Sequence, residues 1–70
     1  GYRERRQRSL VSLAKKMADR AVRIERTVRL HPMPANERRI IHMTLREDPR
    51  VTTQSKGSGR RRAVSIRPQT

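Results

Sequence analysis

From Leu10 the apolar residues of this chain fall at Leu10, Ala14, Met17, Ala21, Ile24 and Val28, in steps of four, three, four, three and four. That spacing puts them on one stripe of an α-helix, and Leu13, Ala18 and Val22 widen it. A helix with a single apolar stripe cannot bury it alone, so the remaining residues must supply a partner surface. The material for one is scarce. Leu, Ile, Val and Phe total 13 of 70 residues, below the level of about 20% at which a highly charged chain is expected to stay disordered. Their order outweighs their number, because they recur with helical and strand periods. One small domain with a thin core is the expected outcome, hiding only about 60% of the surface its unfolded chain exposes.

Off the stripe lie Arg3, Arg5, Arg6, Arg8, Lys15, Lys16, Arg20 and Arg23. They make the outer face of this helix a cationic rod, and repulsion between Arg residues four apart should fray its first turns. Residues 1–9 therefore read as a linker or fraying helix start, 10–68 as the domain and 69–70 as a tail. With no initiating Met, the chain reads as a domain excised from a longer protein.

Over the whole chain 19 Lys and Arg face 6 Asp and Glu, a net charge of +13 that attracts polyanions. Nucleic acid is the leading partner. An anionic membrane surface would need bulky apolar anchors, and the single aromatic is Tyr2; apolar runs of a few residues are far too short to insert. With no Cys and only His31 and His42, neither a disulfide framework nor a metal centre is expected, and no cofactor is. His31, His42, Glu37 and Asp48 could be drawn as acid–base groups, but no nucleophile–base spacing accompanies them and the body is too small for a water-excluding pocket, so catalysis is not expected. No small-molecule substrate is expected either. "KGSGR" lacks the ending and the following helix of a phosphate loop, and also the GxxG of a KH domain. Nothing suggests secretion.

Helical period gives way to alternation in "TVRLHPM", which predicts a half-buried strand stopped by Pro32. Pro34 suits the start of a second helix over residues 34 to 47, which ends before Pro49, with Ile40, Ile41, Thr44 and Leu45 turned inward. "VTTQSK" and "RRAVSIRP" flank "GSG", the pattern of a β-hairpin. The expected fold is α+β, in the order α-β-α-β-β: a small three-stranded sheet with two helices packed on one face. The opposite face would carry Arg29, His31, Thr52, Gln54, Ser65 and Arg67.

Within "NERRIIHMTLREDP" the second helix sets Arg38 and His42 one turn apart at the border of its apolar stripe. A forked guanidinium and a ring presented together suit phosphate contact and base stacking. Sixteen of the residues are Arg, so the spacing alone proves little, and Arg38 lying over the core edge beside a boundary His42 is the plainer alternative.

The stretch "LHPMPANERRIIHMTLREDPRVTTQSKGSGRRRAVSIRP" closely resembles the R3H domain, named for its Arg-three-residues-His motif, in the version found at the C-terminus of the bacterial Jag (SpoIIIJ-associated) family. The likeness covers roughly residues 10 to 68 and is densest in "MPANERRIIH" and "VTTQSKGSG", two separated blocks in the right order. It implies a small α/β fold that binds single-stranded nucleic acid, RNA in a bacterial cytoplasm foremost and single-stranded DNA as the alternative. Arg38 and His42 occupy the positions that name the domain, and the family's Arg-Arg pair falls on Arg38 and Arg39. The resemblance also implies a longer protein carrying a KH domain and an N-terminal Jag domain, associated with a small KH-domain partner and linked to cell-envelope growth; "GYRERR" looks like the junction after the KH domain.

Two departures stand out. Where relatives commonly carry Gly and Pro between the first helix and first strand, this chain has Glu25 and Thr27. The hairpin, usually acidic, reads "SKGSG" and runs into Arg60, Arg61 and Arg62, which means either a harder grip on phosphate or a general basic bias. The expectation is a low-specificity module in which Arg38 contacts phosphate, His42 contacts a base or sugar, and Arg39, Lys56, Arg60, Arg61 and Arg62 enlarge a cationic rim. The alternative is a basic protein-interaction module docking an acidic partner.

Overall fold

The computed structural model describes residues 1–69; Thr70, the last residue of the expected tail, lies outside the described residues. The apolar stripe forms α1 (Tyr2–Ile24), followed by β1 (Val28–Arg29), α2 (Ala35–Leu45), β2 (Val51–Lys56), a 3-10 turn (Gly59–Arg61) and β3 (Ala63–Pro68). The strands form one antiparallel sheet in the order β1-β3-β2, with β3 in the middle because it alone pairs on both sides.

Register decides the faces. Val28 is opposite Ile66, Thr53 opposite Ile66, Ser55 opposite Val64 and Val51 opposite Pro68, so these side chains share one face. Both helices pack there: Leu10, Ala14, Ala18 and Ala21 of α1 and Ile41 and Leu45 of α2 form one buried cluster with Leu30, Met33, Val51, Val64 and Ile66. Each large side chain in this cluster contributes about 1.5–3 kcal/mol by leaving water, which is what a chain so poor in such residues depends on. Ala14, Ala18 and Ala21 are fully buried, so α1 reaches its neighbours through methyl groups.

The stripe ends earlier than its spacing predicts. Ile24 remains 42% exposed and Val28 belongs to β1, because Glu25 takes a left-handed conformation (φ 57, ψ 37) and the Arg26 N–H donates to the Ala21 carbonyl. A non-glycine residue in that region costs on the order of 1 kcal/mol. Glu25→Gly is accordingly expected to stabilise the fold by about 0.5–1 kcal/mol, read as a higher melting temperature; an unchanged or lower one would mean the Glu25 side chain contributes something that offsets the strain.

β1 is shorter than "TVRLHPM" suggested. Beyond Arg29 the chain still follows β3, with the Leu30 N–H donating to Val64 at 2.9 Å and the Met33 N–H to Arg62 at 3.3 Å, but Pro32 and Pro34 lack donors and prevent a regular ladder. His31 lies outside the two-residue strand, so it does not extend the polar sheet face expected for it. α2 is a residue or two shorter at each end than 34 to 47, with Pro34 as its N-cap in extended geometry. β3 starts at Ala63 because Gly59–Arg61 curl into the 3-10 turn. Gly57, at φ 99, makes that turn possible, since a Cβ there would sit 2.9 Å from the Arg61 carbonyl oxygen.

Two ionic clips hold the layers. Arg6 grips Glu37 with two bonds of 3.0 and 2.9 Å, tying the start of α1 to α2. Arg50 donates to Asp19 on α1 at 2.8 Å and to Asp48 at 2.9 Å, closing the loop between α2 and β2. These bonds hold the carboxyls of Glu37 and Asp48 below their ordinary range.

Candidate nucleic-acid interface

With Ile41 and Leu45 buried, the geometry of a helix leaves Arg38 and His42 one turn apart at the border of α2 that overlooks β2. Alternation along β2 turns Thr53 and Ser55 toward that border. The two polar pairs meet in parallel. His42 Nδ1 lies 2.6 Å from Thr53 Oγ1, and Arg38 Nη1 donates to Ser55 Oγ at 2.9 Å while its Nε donates to the Met33 carbonyl at 3.1 Å. Both Arg38 and His42 are half-buried and so presented at the surface in fixed orientations.

A second guanidinium arrives at the same oxygen: Arg62 Nε donates to Ser55 Oγ at 2.8 Å. Two cations thus converge on one hydroxyl, filling both of its lone pairs. Among the described residues neither cation has a carboxylate partner, since the ion pairs are Gly1–Glu4, Arg6–Glu37 and those of Arg50. Of the five N–H groups of a guanidinium, Arg38 spends one on Met33 and one on Ser55, leaving the others for an anion.

His42 is a neutral ring near pH 7. Burial pushes its pKa below the ordinary value of 6.5, and the positive charge of Arg38 pushes it the same way. With the folded value lowered, the unfolded chain binds the proton more readily, so the contribution to stability is complete above pH 6.5 and is lost as the pH falls toward the lower folded value. The melting temperature is therefore expected to fall between about pH 7.5 and 5.5 in the wild type and to fall less in His42→Gln. Equal slopes in the two proteins would show that the ring is not coupled to folding. Glu37 and Asp48, with lowered values of their own, act only at more acid pH.

Shallow grooves lie on either side of the pair. The one beside Arg38 is bordered by Pro32, Met33, Pro34, Gly59 and Arg60. The one beside His42 is bordered by Met43, Arg46, Val51, Thr52 and Thr53. Of the residues expected at the site, Arg38, His42, Arg60 and Arg62 are brought together here. Arg61 sits exposed in the 3-10 turn. Arg39, though next to Arg38 in sequence, is exposed with Met43 and Arg46 on the outward stripe of α2, because one residue turns a helix by about 100°. Lys56 faces away from Ser55, on the other side of the sheet. Sequence reasoning missed Ser55 and Thr53 as the groups that orient the pair, and Arg46 and the 59% exposed Met43 as its neighbours.

The R3H domain family model matches residues 8–68. Among curated proteins, the chain is 48% identical over 65 residues to "RNA-binding protein KhpB" of Clostridium symbiosum. It is 39% identical over 67 residues to the protein of the same name from Bacillus subtilis (strain 168), and 42% identical over 65 residues to that from Lactiplantibacillus plantarum. Each alignment covers 93% of this chain but only 29%, 32% and 20% of the respective relative, so the chain spans about a third or less of their length.

Proposed function

The chain belongs to the R3H domain family, and on that premise we propose that it binds single-stranded RNA as one module of a longer, Jag-like bacterial protein. The relatives' names supply the ligand class. The observation that carries the reading is the meeting of Arg38 and Arg62 on Ser55 Oγ with no carboxylate between them. Two guanidiniums held side by side, each with spare N–H groups, form a cradle for one phosphate, and binding an anion relieves their mutual repulsion.

In this mechanism Arg38 and Arg62 take the phosphate while His42, fixed by Thr53, turns Nε2 and the ring face toward a sugar or base. Arg60 and Arg61 hold the adjoining backbone, and Arg39 and Lys56, at the margins of the site, each take a further phosphate as the strand passes. Sequence preference is low because phosphate contacts carry no base information. The role is binding without catalysis, single-stranded DNA is the weaker ligand, and the setting is the cytoplasm. A KH-domain protein is the partner of the longer chain, through parts outside these residues.

Amide chemical shifts on adding a short single-stranded RNA test the proposal. Residues 38 to 42 and 56 to 62 are expected to respond together, along with Thr53 and Ser55. Shifts confined to the arginines of α1 would show that the pair is structural and that RNA is held by diffuse charge alone.

A further inference from the structure

The site above uses one side of β2. On the other side Thr52, Gln54 and Lys56 point away from the helices, and the register lays out three rows: Lys56 beside Ala63, Gln54 beside Ser65 with Arg29 beyond it, and Thr52 beside Arg67. The core lies on the opposite face, so no helix covers this one. Its central strand carries small side chains there, Ala63 fully buried and Ser65 6% exposed, so the accessible part of this face is made by Arg29, Thr52, Gln54, Lys56 and Arg67.

Arg29, Lys56 and Arg67 are all exposed and, among the described residues, none is bonded to a carboxylate. Arg6 and Arg50, by contrast, are committed to acids within the fold. Glu25 shares a groove with Arg67, Arg26 and Thr27 at one end of this face. The other end, at Lys56, runs into the arginines of the hairpin. Strand spacing of about 4.8 Å and a same-face repeat of about 6.6 Å spread the three cations over on the order of 12 Å, a reach of a few nucleotides.

We propose that this open sheet face is a second single-stranded nucleic-acid surface, continuous with the Arg38–His42 site across the free edge of β2. One strand folds over that edge and is held on both sides, since successive residues of β2 serve alternate faces. The ligand follows from charge: three cations without carboxylate partners, among small and neutral polar groups, favour a flexible polyanion, and with no aromatic among Arg29, Thr52, Gln54, Lys56, Ala63, Ser65 and Arg67 the surface takes backbone and not bases. The inference rests on the reading of the first site as an RNA site.

The test is fluorescence anisotropy with oligouridine of about six and about eighteen nucleotides, the shorter able to fill only one surface. Arg29→Glu with Arg67→Glu is expected to weaken the long oligomer about tenfold or more and the short one less than about twofold. Arg38→Ala with His42→Ala is expected to weaken both. Lys16→Glu with Arg23→Glu, the same charge change on the exposed face of α1, controls for the general field and should leave the long-to-short ratio unchanged. Arg29→Gln with Arg67→Gln, a milder change, should give the same ordering, and circular dichroism confirms the fold of each variant. Equal loss for both lengths, no loss for either, or the same loss from the α1 control overturns the second surface. So does loss of poly-glutamate binding with the long oligomer unaffected, which would make the face a dock for an acidic protein. If wild-type protein fails to bind even the short oligomer, the proposed function fails first, and the two failures are thereby told apart.

Discussion

Raising monovalent salt tenfold, from about 50 to about 500 mM, is expected to lower the affinity for a single-stranded RNA by about four orders of magnitude. Binding to a single strand releases roughly 0.7 counterions per phosphate neutralised, and Arg38, Arg39, Lys56, Arg60, Arg61 and Arg62 provide six cations, giving a slope of log K against log salt near −4. His42 adds nothing to the slope near neutral pH, because its lowered pKa leaves it uncharged. The measurement is a series of equilibrium titrations against salt. A slope shallower than about −2 would mean that most of these cations are not seated on phosphate, and the cradle at Ser55 would lose its meaning. Arg39→Ala should remove about one contact from the slope and leave the fold alone, since Arg39 is exposed on the outward stripe of α2.

Arg38→Ala combined with His42→Ala should weaken RNA binding about a hundredfold at fixed salt. A charge-assisted bond to phosphate contributes about 1.5–3 kcal/mol and a neutral bond from the ring about 1 kcal/mol, and each 1.4 kcal/mol is a factor of ten. The same change also removes bonds to Met33, Ser55 and Thr53, so stability should fall by about 1–3 kcal/mol while the far-ultraviolet circular dichroism at low temperature stays native. Arg38→Lys separates charge from geometry. It keeps the cation but loses the fork that reaches Met33 and Ser55 at once, and it should recover only part of the affinity. Wild-type affinity in the folded double variant would reduce the pair to a hinge between α2 and β2 with no part in binding.

The order of elements, the sheet with both helices on one side and the border position of Arg38 and His42 were all legible in the residues, because each rests on a period that a few apolar side chains suffice to reveal. The failures have local causes. Ile24 continues the stripe by spacing, yet nothing in the apolar pattern announces that Glu25 will turn left-handed and end the helix beneath it. Arg61 and Arg62 looked like the start of a strand because polar residues tolerate either state, and the 3-10 turn follows from Gly57 and Gly59 both taking positive φ. Thr53 and Ser55 read as gaps in the apolar alternation of β2. Their purpose depends on which side chains of α2 stand opposite, and that is a matter of packing between elements distant in sequence.

The alanine track of α1 has one further consequence. Because Ala14, Ala18 and Ala21 are fully buried in the one cluster that α1 shares with α2 and the sheet, a single added methylene at any of them acts as a wedge in a core with no room to take it, where a cavity elsewhere would be felt only by its immediate lining. Tolerance to substitution in this molecule is therefore inverted with respect to size: its smallest interior residues are the ones with least room to vary, while the exposed arginines on the outer face of α1, such as Arg20 and Arg23, can be rewritten freely.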